Sequence, residues 1–203
     1  MRSRELKVAG AWEFTPDVHA DLRGYFLESY RFEALESAVG HRFPLAQSNV
    51  SVSHRGVVRG IHYALVPPGQ AKYVTVVTGA AFDVIVDLRL GSPTFGQWDS
   101  VILDAVDHRA VYLPEGVGHA FLALEDRTTM TYSVSSVFDA DREFGISVFD
   151  SELAIDWPMA PEAMIVSERD RRSPSLTEAL AAHRLPSEEA WSLSPVAGHR
   201  GGA

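Results

Sequence analysis

The chain has 203 residues, 46% of them hydrophobic and 22% charged, a composition that suits one compact domain with a sizeable core. Its 18 Lys and Arg against 27 Asp and Glu leave a formal charge of −9, which argues against general binding to nucleic acid or an anionic membrane. Cysteine is absent, excluding disulfides and thiolate metal sites, and no apolar run approaches the length of a membrane span.

The basic start MRSRELKVAGAWEF has no apolar stretch behind it, so no signal peptide is expected and the cytoplasm is the expected compartment. A helix is predicted over Ser29–Val39 (SYRFEALESAV), stopped by Gly40. QSNVSVSH then alternates cleanly, with Gln47, Asn49, Ser51 and Ser53 on one face and Val50 and Val52 on the other. Such a strand either wets its polar face or lines the interior of a barrel where amides meet a ligand. The next polar strand, carrying Arg59, His62 and Tyr63, favours the interior, because two polar strands in succession cover a core poorly.

Further along, YVTVV, FDVIVDLR, SVILDAV and TMTYSVSSV are rich in β-branched and aromatic residues. FDVIVDLR places Phe82, Val84, Val86 and Leu88 on one face and Asp83, Asp87 and Arg89 on the other. The turns PPGQ, LGSPTFG, DAVDHR, LPEGVG and LEDRT separate short strands at close spacing, which predicts a sandwich or barrel. A last helix is expected from about Pro174, with Ser173 as its cap and Leu176, Leu180 and Ala181 as its apolar stripe. One folded domain is expected over 1–184, followed by a polar, disordered tail over 185–203.

The motifs DLRGYFLESY, QSNVSVSHRGVVRGIHY, PPGQAKYVTVVTGAAFDVIVDLRLGSPTFGQW, YLPEGVGHAF, Tyr132, REFGI and SERD resemble, in order and spacing, those of the dTDP-4-dehydrorhamnose 3,5-epimerase family. The resemblance runs from about Glu13 to Pro174. It implies an all-β, cupin-type antiparallel jelly roll with a few short helices, and a homodimer whose site is shared between subunits. The implied substrate is a dTDP-4-keto-6-deoxyhexose, with neither metal nor organic cofactor. By the same resemblance His62 is the base, Asp170 orients it, Tyr132 is the acid and Lys72 supplies charge for an enolate. Arg23, Glu28, Gln47, Ser48, Asn49, Arg59, His119, Phe138, Glu143 and Arg169 match ligand-binding positions.

The chemistry asks for these residue types. A C4 ketone acidifies the neighbouring C–H bonds at C3 and C5. Inverting either carbon needs a base on one face, an acid on the other and a donor for the enolate oxygen. Histidine, with an ordinary pKa of about 6.5, suits the base, and a neutral phenol suits the acid. Taken singly, each residue has an ordinary structural role; their joint spacing is what points to a site. Four features depart from the family pattern: Arg169 for Lys, Phe138 for Tyr, Ala64 after Tyr63, and GVGHAF. Because Ala64 and GVGHAF bear on the pocket near the sugar, C3 is expected to exchange before C5. Three other readings compete: a sugar-nucleotide 3,4-ketoisomerase, a metal-dependent oxygenase using His62 and His119, and a sugar-nucleotide-binding module without catalysis. The pairing of His62 with Tyr132 counts against the first.

Overall fold

The structure is a computed structural model and describes residues 1–192. Its strands are β1 (Arg2–Glu5), β2 (Trp12–Thr15), β3 (Val18–Asp21), β4 (Gly24–Leu27), β5 (Gln47–Ser53), β6 (Val57–Ala64) and β7 (Lys72–Thr78). They continue with β8 (Ala80–Asp87), β9 (Trp98–Asp104), β10 (Ala110–Leu113), β11 (Val117–Ala123), β12 (Thr128–Val134), β13 (Glu143–Gly145) and β14 (Ile165–Val166). Four short α-helices accompany them among the described residues, α1 (Phe32–Val39), α2 (Glu168–Arg171), α3 (Leu176–Ala181) and α4 (Glu188–Ser192), with one 3-10 turn at Pro161–Ala163.

Two antiparallel sheets form the body. The first runs β1-β2-β10-β7-β12-β5 and the second β13-β6-β11-β8-β9, with β14 added parallel to β6. This is the all-β jelly roll with few helices that the sequence predicts. Val74, Val76, Ile85, Leu103, Val111, Phe121 and Met130 belong to one buried cluster drawn from both sheets. Val84 and Val86 of β8, with Leu88 just beyond it, instead join a second cluster with Leu153, Leu176 and Leu185 from the C-terminal segments. Both faces of β8 are therefore dry, and Asp83 and Asp87 lie inside the body.

The two sheets carry polar chemistry at separate places along that inner face. Asp87 accepts hydrogen bonds from Arg89 Nε at 2.9 Å and from the hydroxyls of Ser92 and Thr94, each at 2.6 Å. Arg89 also donates to the Ala9 carbonyl at 2.7 Å, tying in the N-terminal segment. The guanidinium of Arg89 stacks 5.3 Å from the ring of Trp191, whose Nε1 donates to the Leu90 carbonyl. Leu185 and Pro186 are buried. The expected disordered tail is thus corrected for 185–192, because this segment covers apolar surface and closes the Arg89 cluster; 193–203 lie outside the described residues.

Helix boundaries shift for local reasons. α1 begins at Phe32, not Ser29, with Arg31 extended at its N-cap, while the Ser29 carbonyl accepts a bond from Tyr73. It ends as predicted at Gly40, left-handed at φ 80°. α3 is capped by Ser175, not Ser173: Ser175 and Glu178 form a reciprocal capping box. Glycine is required where β6 meets β11. Gly60 has φ +127°, and a Cβ there would fall 2.4 Å from the Cβ of Ala120; one on Gly118 would fall 2.7 Å from Ile61.

Candidate active site

A cavity of about 270 Å³ lies between the sheets, walled by Asn49, Ser51, Lys72 and Tyr132 from the first and by Arg59, His62, His119 and Glu143 from the second. Strand alternation creates this wall. In β5 Asn49, Val50 and Ser51 line the cavity, Ser51 reaching Tyr132, while Val50 and Val52 keep most of their surface exposed on this edge strand.

His62 stands on β6 with Nε2 2.7 Å from Asp170 Oδ1. Asp170 is delivered by α2, whose N-cap Ser167 accepts a bond from the Asp170 amide. Burial pushes the Asp170 carboxyl upward, yet bonds from His62, Ser167 and the Gly60 amide hold it below the usual carboxylate range. The Nε2–H of His62 has a carboxylate to donate to, an arrangement that in the neutral ring leaves the Nδ1 lone pair free. Directly opposite His62 in the β6–β11 pairing is His119, whose Nε2 lies 2.6 Å from Asp83 Oδ1.

Tyr132 rises from β12 in the facing sheet, 3.0 Å from the Ser51 hydroxyl, and burial pushes its phenol up to about 12. Lys72 begins β7 and is buried; desolvation lowers its pKa while the charge of Glu143 acts the other way. Arg59 donates to Ser53 at 3.2 Å. The exposed Phe138 and Arg169 complete the rim, and the Phe138 amide donates to Gln47, which in turn donates to Asn49 at 2.7 Å. Ala64 pairs with Glu143 across β6–β13 and borders a smaller hollow of about 130 Å³ that Glu143 also lines.

Not every predicted site residue lines the cavity. Arg23 and Glu28 lie out on or beside the β3–β4 hairpin, Arg23 bonded to Asp21 and Glu28 paired with Arg31 at 3.5 Å. Ser48 is exposed on β5 and does not line the cavity, and Gln47 reaches the site only through its bonds to Asn49 and Phe138. The wall also contains residues that sequence reasoning missed: Val50, Gln70, Phe121 and Val134, with Asp83 behind His119. Asp83 shares a face of β8 with Asp87, and the alternation of that strand alone does not mark it as the carboxylate that meets an imidazole.

A larger groove of about 630 Å³ beside α4 is walled by Val66, Pro67, Pro68 and Ala190, with Glu115 and Glu189, and no histidine lines it. Among the described residues no three His, Asp or Glu side chains converge as a metal site, and His62 and His119 are each engaged by a separate carboxylate. No helix among those residues is long and apolar enough to cross a membrane.

Comparison with known proteins gives a consistent result. The sequence profile of the dTDP-4-dehydrorhamnose 3,5-epimerase family matches residues 5–178. A dTDP-4-dehydrorhamnose 3,5-epimerase of Mycolicibacterium smegmatis is 53% identical over 92% of this chain and 91% of its own length. A dTDP-4-dehydrorhamnose 3-epimerase of Streptomyces niveus is 52% identical over 92% and 89%. The crystal structure of NovW, a 4-keto-6-deoxy sugar epimerase from the novobiocin biosynthetic gene cluster of Streptomyces spheroides, superposes with a TM-score of 0.91 at 51% identity, covering 94% of this chain and 95% of that one.

Proposed function

Because the chain belongs to the dTDP-4-dehydrorhamnose 3,5-epimerase family, we propose that it epimerises a dTDP-4-keto-6-deoxyhexose at C3, and at C5 where the pocket allows, in deoxysugar biosynthesis. The observation that carries this reading is His62 on one sheet, bonded to Asp170 of α2, and Tyr132 on the other sheet, with His62 and Tyr132 lining one cavity. His62 Nδ1 takes the C3 proton, and the C–H electron pair moves into the C3–C4 bond as the C4 carbonyl becomes an enolate. Lys72 stabilises that oxygen, a contribution of about 3–4 kcal/mol for a single well-placed donor in a dry site. Collapse of the enolate then takes a proton from Tyr132 on the opposite face, which inverts the carbon. The proton balance closes when His62 and Tyr132 exchange protons with solvent.

Arg59 and Arg169 are suited to the diphosphate and Phe138 to the thymine ring. The site is completed by a second copy of the chain: Arg23 and Glu28 of one subunit serve the cavity of the other. In support, the hairpin that carries Arg23 exposes Leu22, Tyr25 and Phe26, apolar surface that association would cover. No metal or organic cofactor is assigned to the reaction, and the cytoplasm is the assigned compartment.

Proton NMR of dTDP-4-keto-6-deoxyglucose incubated with the protein in D₂O tests the reading. The C3 proton signal is expected to disappear first and C5 more slowly. Equal exchange rates would point to full 3,5-epimerisation, and no exchange at either carbon would rule out the epimerase.

A further inference from the structure

The cavity holds two imidazole–carboxylate pairs whose carboxylates are satisfied very differently. Asp170 accepts from His62, Ser167 and the Gly60 amide, enough to hold a full negative charge. Asp83 is completely buried, with Val101 and Phe121 as its cross-strand neighbours. Its Oδ1 meets His119, but among the described residues its Oδ2 is the buried side-chain atom without any hydrogen-bond partner. A carboxylate with an orphan oxygen in such a place is costly as a bare anion beside a neutral imidazole.

One additional proton removes the net charge of the Asp83–His119 pair. It can sit on the imidazole, giving imidazolium against carboxylate, or on Asp83, giving a carboxylic acid that donates to Nε2. Both arrangements have the same outcome at the far side of the ring: Nδ1 carries a hydrogen. We propose that Asp83 is a positioning residue that fixes His119 with a proton on Nδ1, making this nitrogen a second N–H donor to the substrate's C4 oxygen. His62, fixed by Asp170, has the reverse polarity, with its Nδ1 lone pair free to act as base.

The proposal rests on the epimerase reading for its substrate, though the proton placement does not. Register supports the division of labour. His62 and His119 are direct cross-strand partners, and side chains so paired lie about 5 Å apart at Cβ, a spacing suited to adjacent atoms of one ligand. The base must reach hydrogen on C3 while the donor reaches oxygen on C4, one bond away. The other titratable or charged groups facing this space are Tyr132 from β12, Arg59 from β6, Lys72 from β7, Glu143 from β13 and Arg169 from α2. Burial pushes the Asp83 carboxyl upward despite His119, the opposite direction to Asp170. Two pairs of the same chemistry thus diverge into an acceptor and a donor through their surroundings.

The test uses ligand-free protein labelled with ¹⁵N-histidine and read by long-range ¹H–¹⁵N correlation between about pH 6 and 9, with His62→Gln and His119→Gln samples for assignment. A protonated Nδ1 at His119 together with an unprotonated Nδ1 at His62 near pH 8 is expected. An unprotonated His119 Nδ1 at pH 7 to 8 overturns the proposal. In kinetics, Asp83→Leu should lower kcat at least about tenfold, with KM held within about threefold, as expected when a transition-state donor is misaligned. Asp83→Val, which likewise leaves Nε2 without a hydrogen-bond partner, serves if the leucine variant does not fold, with the same expectation. Unchanged kcat in a folded variant also overturns the proposal. Because the NMR arm contains no substrate, it stands whether or not wild-type protein exchanges C3 protons, so failure of the epimerase reading is seen separately.

Discussion

Tyr132 is where local environment and chemistry meet most directly. Its phenol, pushed up to about 12 by burial, remains protonated well above neutral pH, so the residue can give a proton and cannot compete with His62 for one. Tyr132→Phe keeps the ring and removes the proton. We expect this variant to keep exchanging C3 hydrogen for deuterium through His62 while inversion falls by at least about 10²-fold, the scale of a lost general acid. NMR of the recovered sugar distinguishes exchange with retention from exchange with inversion; undiminished inversion would remove Tyr132 from the acid role. His62→Ala should lose both exchange and inversion by about the same factor, with dTDP affinity measured by calorimetry nearly unchanged. At this scale the sequence was informative about residues whose chemistry is unusual for a strand, such as Arg59, His62 and Lys72. It was silent on Asp83, because the alternation of FDVIVDLR assigns a face without saying whether that face meets water, a core or an imidazole. Only the register of β8 against β11 brings Asp83 to His119.

Among the elements, β8 is the one that connects site and scaffold, with Asp83 at His119 and Asp87 four residues on at the Arg89 cluster. Burial raises the Asp87 carboxyl, but the bonds from Arg89, Ser92 and Thr94 outweigh it and hold the pKa below the ordinary value. A carboxyl lowered in the folded state stabilises above its unfolded pKa of about 3.9, and that stabilisation fades as pH falls through the lower folded value. Asp87→Asn should therefore cost about 3 kcal/mol at pH 7, as when one member of a buried ion pair is removed. The gap to wild type should narrow below about pH 3. Urea denaturation at the two pH values checks it, and a pH-independent gap would show that the charge is not what matters. The helices tell a similar story about legibility. Gly40 marked the end of α1 correctly because a left-handed residue has a local signature. The start was misplaced because Ser29 is held by Tyr73, a residue 44 positions away.

At the scale of the whole molecule, the strand-rich pattern and turn spacing disclosed a sandwich, whereas the order of strands in each sheet depends on pairings no short window contains. Arg23 illustrates the limit from the other side: motif spacing links it to the site, while in the folded chain it points into open surroundings on a hairpin. The proposed shared site makes a direct prediction. Arg23→Ala and His62→Ala proteins, each nearly inactive, should regain activity when mixed under conditions of subunit exchange, up to about a quarter of wild type, since half of the random dimers carry one intact site. Mixtures no better than the parents, with exchange proven by mass spectrometry, would contradict a shared site. Dialysis against a strong chelator should leave the C3 exchange rate unchanged; loss on chelation and recovery with one divalent metal would redirect attention to a metal-dependent reaction.

The close approach of β6 to β11 also sets the terms on which this protein can be re-engineered. A saturation library aimed at changing which carbon is inverted has no useful alleles at Gly60, where any side chain would strike Ala120, and few at Gly118 against Ile61. Both positions hold the strands that carry His62 and His119, so variants there would be scored as dead for reasons unrelated to regiochemistry. Diversity belongs instead at Ala64, beside its unfilled hollow, at Val50 on the edge strand and at Phe138 on the rim. Leaving the two glycines out removes inactive clones before screening and leaves the search to positions where a changed product can be seen.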